Sequence, residues 1–178
     1  MTLTPATPAA RFAKLAERYV DLIERHDELS LSAFVSDAHP LVVDLYRAAL
    51  DLPAVAPSEA DLPDQLTSDE WARLFESLRC KFGQRDWYTE MFDPYAQDDT
   101  PVPHSLSDDL TDIYRDVRHG LSGWRGGRTD DAVWEWRFSF ETHWGRHATS
   151  ALRALHALVY DRGLVQCGVN APRVFHGL

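Results

Sequence analysis

Apolar residues recur at three- and four-residue intervals along most of the chain, which is the period of helices packed through one face. Phe12, Leu15, Ala16, Tyr19, Leu22 and Ile23 predict a first helix over about 9–27. Phe34, Leu41, Leu45, Ala49 and Leu52 predict a second, with Ser30 or Ser32 as its N-cap. Pro40 lies inside that stripe and predicts a kink or a split, because proline has no backbone donor. A third helix is expected from Thr67, whose spacing to Glu70 matches a capping box, to Gly83. Its apolar face is Trp71, Leu74, Phe75, Leu78 and Phe82. Leu110, Ile113, Val117, Leu121 and Trp124 carry a fourth helix, about 107–124. A fifth starts near Thr129 or Asp130 and reaches Tyr160, an unusually long span.

Between these, the proline-rich, acidic stretch 52–66 reads as a loop, and "GWRGGR" as a turn. Residues 86–104 hold aromatics and three prolines and predict a packed irregular segment that is functional or closes over the core. No strand alternation or hairpin signal is apparent. The predicted fold class is all-α: a single-domain, roughly five-helix antiparallel bundle with a long C-terminal helix. The domain spans 9–161, between a flexible N-terminus at 1–8 and a C-terminal tail at 162–178.

Composition narrows the function classes. The chain has 178 residues, enough to bury a core without a disulfide or a structural metal. It carries 18 Lys and Arg against 28 Asp and Glu, a net charge of −10. That excess opposes phosphate-backbone binding and anionic membrane surfaces, so neither nucleic acid nor membrane is expected as a partner. Cys80 and Cys167 form no C-x-x-C pair, and Leu78 and Phe82 suggest that Cys80 lies near the core. With no apolar signal region at the start, a cytoplasmic location is expected.

The candidate chemistry sits in the last two helices. On an uninterrupted wheel of about 100° per residue, Glu141 falls within about 60° of Trp134, Phe138, Trp144, Ala148, Leu152 and Leu155. Arg137, one turn earlier, shares that arc. The wheel therefore predicts a buried ion pair, extended to a helix-four group such as Tyr114, because an unpaired buried carboxylate is costly. The sharper alternative is a general base of raised pKa. His143 and His147 are four apart, the spacing that ligates zinc in H-E-x-x-H, but no glutamate follows the first histidine. The plain interpretation is a pair on the helix flank, and His156 reads as a boundary residue.

Asp108, Asp112 and Asp116 are also four apart, with Asp109 at the edge of the apolar stripe. Like charges at this spacing cost about 0.2–0.5 kcal/mol per pair, so a cation should be near. Arg115, Arg118, an arginine of helix five or a divalent ion would serve. The plain interpretation is a solvated acidic face. The sharper one is a metal site built from Asp108, Asp109, Asp112 and Asp116 with His143 and His147, which requires the flanks of the two helices to meet. Binding candidates are Arg137, Glu141, His143, Trp144, Arg146, His147 and Arg115.

The strings "SLSDDLTDIYRDVRHGL" (105–121), "AVWEWRFSFETHWGRHATSALRALH" (132–156) and "YTEMFDP" (88–94) together resemble a bacterial domain family of unknown function. The resemblance implies no established activity and assigns no residue a role. The expected function is a non-enzymatic interaction or regulatory module with an unidentified protein partner and no cofactor. The alternative is a metal-dependent hydrolase of a small phosphorylated or nucleotide substrate, with a divalent metal. A small-molecule binder with an aromatic pocket (Trp87, Tyr88, Phe92, Trp134, Trp136, Trp144) is the third.

Overall fold

Each of the first three helices opens on a hydroxyl that accepts from the backbone three residues on. Thr7 starts α1 (Pro8–Glu24), Ser30 starts α2 (Leu31–Ala49) and Thr67 starts α3 (Ser68–Phe82). At Thr67 the capping box is complete, since Glu70 Oε2 accepts from the Thr67 N–H at 2.9 Å. These elements belong to a computed structural model that describes residues 6–56, 62, 65–91, 93, 95, 96, 98 and 100–164. The predicted flexible N-terminus lies largely, and the tail almost wholly, outside the described residues, as do Cys167 and Phe92.

A short 3-10 turn, His26–Glu28, joins α1 to α2. Helix α2 runs unbroken past Pro40, so the predicted split is absent; the proline ring stands exposed. Gly83 ends α3 at φ +56°, a left-handed value that glycine adopts freely. The chain then corrects the sequence prediction. Trp87–Glu90 (β1) and Val102–Ser105 (β2) pair as a small antiparallel hairpin, Tyr88 opposite His104. Four-residue strands separated by a long proline-bearing excursion leave no alternation for a sequence reading to detect.

Helix α4 (Leu106–Arg125) forms the centre, packed on α1, α3, α5 (Thr129–Ser139) and α6 (Gly145–His156). Its start is fixed from the hairpin side. The buried Asp86 accepts from the Ser107 N–H and hydroxyl at 2.8 and 2.9 Å. Tyr19 of α1 donates to the Leu110 carbonyl at 2.9 Å, and Trp136 of α5 donates to the Val117 carbonyl at 2.9 Å. Gly120 leaves the room for that indole, since a Cβ there would stand 2.3 Å from its nitrogen.

The long C-terminal helix exists, but it is not one continuous α-helix. A π-turn, Phe140–Trp144, separates α5 from α6, and a second, Ala157–Asp161, follows α6. The Gly145 N–H reaches back to the Phe140 carbonyl across five residues. Such a turn holds about one residue more than an α-turn and so rotates everything after it. The straight wheel fails for this reason. Before the turn Ala132, Val133, Trp136 and Ser139 are buried; Trp144, at its end, is buried too, and after it Ala148, Ala151 and Leu155. Arg137 and Glu141 do pair, Nε to Oε1 at 2.9 Å, but their side chains are 39% and 55% exposed. The predicted buried ion pair is therefore a surface pair. Tyr114 does not join it and donates instead to Glu24 of α1. Cys80 is exposed rather than near the core. Among the described residues, no helix is long and apolar enough to cross a membrane.

Candidate metal centre

Three aspartates of α4, spaced so that they follow one another up the helix, meet two histidines carried by the π-turn and α6. The acidic face is not solvated. Asp109 is fully buried, Asp112 is 8% exposed, and the Asp116 side chain is 13% exposed. The expectation of a solvated face fails because α6, α3 and the hairpin all pack over this side of α4.

Asp109 is the innermost group. Its Oδ1 accepts from His147 Nδ1 at 2.9 Å and from His104 Nε2 at 3.0 Å, while its Oδ2 accepts from the Tyr88 hydroxyl at 2.5 Å. Burial, then the Asp109 charge, push the Tyr88 phenol far above its usual pKa, so it stays a donor. Asp116 Oδ2 lies 2.7 Å from His143 Nδ1. That bond is the main cause of the raised His143 pKa, and the bond to Asp109 has the same effect on His104. Asp108, less buried, has its carboxyl pKa raised by desolvation first and then by the Asp112 charge.

These bonds fix which ring nitrogens carry protons. A carboxylate offers only acceptors, so Nδ1 of His143 and Nδ1 of His147 are the N–H groups. In its neutral form such a ring presents its lone pair at Nε2. Both Nε2 atoms lie near one carboxylate oxygen, Asp112 Oδ2, 3.4 Å from His147 Nε2 and 3.8 Å from His143 Nε2, and His143 Nε2 also faces Arg115 Nη2 at 3.3 Å. The other oxygen of Asp112 is already occupied, by the Trp71 indole N–H at 2.8 Å and Arg115 Nη1 at 3.1 Å. Acceptors gathered at this distance suit a shared cation, which can be a ring proton, the Arg115 guanidinium already beside them or a metal ion. Two atoms bonded at about 2.0–2.1 Å to one tetrahedral ion stand about 3.3–3.4 Å apart, close to the spacing found. One donor atom each from Asp112, His143 and His147 lies within 4.8 Å of the other two.

A second group, His104, Asp108, Asp109 and His147, is equally close-set. There the histidine nitrogens face Asp109 through N–H bonds, which suits Asp109 to orienting ligands rather than to ligating. Carboxylates behind metal-bound imidazoles commonly play that part. The first group fits a divalent transition ion: two imidazoles and one carboxylate, with an open side.

The chain matches the model of the domain of unknown function DUF5063 over residues 5–161. It belongs to that family. No curated protein sequence matches it. Among solved structures, DUF5063 shares its fold with protein BF1032 from Bacteroides fragilis, at 23% identity and a TM-score of 0.75. The match covers 84% of this chain and 90% of that one, and identity this low speaks for the fold alone.

Of the predicted site residues, the structure brings together Asp108, Asp109, Asp112, Asp116, Arg115, His143 and His147. It separates off Arg137 and Glu141 on the surface, Arg146 in solvent, and Trp144, which is buried in the core against Phe12. Among the described residues the predicted pocket aromatics are dispersed: Trp136 joins Trp144 in the core, Trp134 stacks on the half-exposed Phe138, and Trp87 is 56% exposed. Sequence reasoning missed His104 and Trp71 and gave Tyr88 to an aromatic pocket instead of to Asp109. His104 carried a signal, standing four and five residues before Asp108 and Asp109. Trp71 and Tyr88 carried none, because their roles arise only when α3 and the hairpin close on α4. A separate cleft of about 490 Å³ between α1 and α2, lined by Arg11, Lys14, Arg18 and Arg47 among others, shares no residue with the histidine–aspartate cluster.

Proposed function

We propose that the DUF5063 chain binds one divalent transition-metal ion between His143 Nε2, His147 Nε2 and Asp112 Oδ2, and that it is a metal-dependent hydrolase. The placing of two imidazole Nε2 atoms beside a single carboxylate oxygen carries the reading, with each imidazole held from behind by its own aspartate. A bound ion of this kind supplies a water whose pKa falls toward about 7, and so a nucleophile at neutral pH. The chain's own residues do the rest. Asp109 and Asp116 hold the ring orientations and tautomers, and Trp71 pins Asp112 so that its Oδ2 stays turned to the histidines. With its side chain 37% exposed against 17% for His147, His143 is the more solvent-accessible of the two rings.

The test is metal titration of chelator-stripped protein with Mn²⁺, Zn²⁺ and Co²⁺, read by calorimetry and by the visible spectrum of Co²⁺. One ion per chain is expected, with binding abolished in His147→Gln and Asp112→Asn. Stripped protein that takes up none of the three ions would sink the reading. The interaction-module reading draws support from the exposed Phe138, stacked on the half-buried Trp134 with rings 4.8 Å apart and nearly parallel. It predicts self-association or partner capture that Phe138→Ser abolishes without touching metal uptake.

A further inference from the structure

Resting on the metal reading, we propose that Arg115 is the substrate-binding residue of this centre and that the substrate is a small phosphate monoester. Every nitrogen of its guanidinium is aimed at atoms around the triad. Nη1 lies 3.1 Å from Asp112 Oδ1, Nη2 lies 3.3 Å from His143 Nε2, and Nε lies 3.5 Å from Asp116 Oδ1. The contact to His143 is the telling one. Guanidinium is donor-only, so Nη2 donates to the same lone pair that a metal ion would take. Arg115 is thus the resident cation of the site, and an arriving ion competes with it for His143 Nε2. Once displaced, the Nη2 edge is released next to the open side of the ion.

Location favours this part as well. The Arg115 and His143 side chains are 38% and 37% exposed, against 11% for Asp112, so the accessible side of the triad is where the arginine stands. On a chain of net charge −10, an anion approaching four aspartates needs a fixed cation at the entrance. A released guanidinium edge beside a Lewis acid would suit a tetrahedral oxyanion, with one oxygen taking the Nη2 donor and another left for the ion. Charge on those oxygens grows as a phosphoryl group transfers, which such donors stabilise. In the step, a water oxygen bonds to phosphorus as the ester P–O bond breaks. The water's proton ends on the departing alcohol oxygen, leaving inorganic phosphate.

The experiment uses the full chain and inorganic phosphate as the probe. Mn²⁺ affinity is measured first for the parent, Arg115→Gln and Arg115→Lys, then phosphate and acetate are titrated into each Mn²⁺-loaded protein. Arg115→Gln should bind Mn²⁺ at least as tightly as the parent, because a competing cation is gone. Its phosphate affinity should fall about tenfold or more, the loss of roughly one charge-assisted bond. Arg115→Lys should fall between. Equal phosphate binding by parent and Arg115→Gln would overturn the assignment, as would acetate binding as tightly as phosphate, or a loaded parent that binds neither. A parent that takes up no Mn²⁺ overturns the metal reading itself, a result visible before any phosphate is added.

Discussion

At the residue scale the centre depends on a few atoms whose partners leave no freedom. Asp109 is fully buried and satisfied by three donors, two rings and a phenol. Asp109→Asn keeps the volume but turns one acceptor into a donor, so one of those partners meets an N–H. We expect thermal stability to fall by about 1.5–3 kcal/mol, as when a buried charge-assisted bond is lost. Metal affinity should drop about 10–100-fold, because His147 loses its orienting carboxylate. Calorimetric unfolding and metal titration of the same variant read both. The surface pair behaves differently. With side chains 39% and 55% exposed, Arg137 and Glu141 make a bond of the kind that contributes about 0–1 kcal/mol. Glu141→Gln should therefore shift the urea midpoint little. Arg137→Met should cost more, since Arg137 Nη1 also donates to the Leu52 carbonyl at 2.9 Å and ties down the end of the second-helix turn.

At the scale of elements, the π-turn decides which residues reach the site. His143 lies within it and His147 just beyond, so its extra residue sets their rotation about the helix axis. Gly145 makes the turn feasible: a Cβ there would stand 2.4 Å from the Phe140 carbonyl oxygen, a backbone atom that cannot step aside. Gly145→Ala should either cost about 1–3 kcal/mol or drive the turn back to regular α-geometry. In both cases metal uptake should fall, and hydrogen exchange should rise first at 140–145. A variant with unchanged exchange and metal binding would disprove the turn's part. This is also where the sequence stopped being legible. Five helices, the capping box at Thr67 and the length of the last helix were readable because caps and apolar periods are local. A period assumes constant rotation per residue, so the one irregular turn sent Arg137 and Glu141 to the wrong face. The histidines and aspartates stood out by their spacing, yet their meeting depends on the α4–α6 register, which no single helix encodes.

The α4–α5 contact has its own titration. His119 Nδ1 stands 3.3 Å from Glu135 Oε1, and that bond is the main reason its pKa is raised. A histidine whose folded pKa exceeds its unfolded value stabilises most below that unfolded value, about 6.5. The contribution disappears as pH rises through the higher folded value. Parent and His119→Gln should thus differ most in unfolding free energy near pH 6 and converge toward pH 9; a constant difference would show that the bond does not titrate.

For the whole molecule, the centre lies where α3, α4, the π-turn with α6, and the hairpin converge, through Trp71, Asp109, Asp112, His143, His147, Tyr88 and His104. No single element contains a complete ligand set, so the ion has high affinity only for the assembled fold, and its binding free energy adds to folding. The acidic composition acts in the same direction: four aspartates share one helix face, and the Asp112 charge, after burial, raises the Asp108 carboxyl pKa. At a free metal concentration about 100 times its Kd, the gain is about 2.7 kcal/mol. For a chain of this length that corresponds to a rise in Tm of roughly 5–10 °C. Chelator should reverse the rise fully, and His147→Gln should show none while keeping a cooperative transition. If the variant's Tm climbed with metal as the parent's does, the ion would be acting elsewhere on the acidic surface, and the convergence on Asp112 Oδ2 would be a hydrogen-bond network and nothing more.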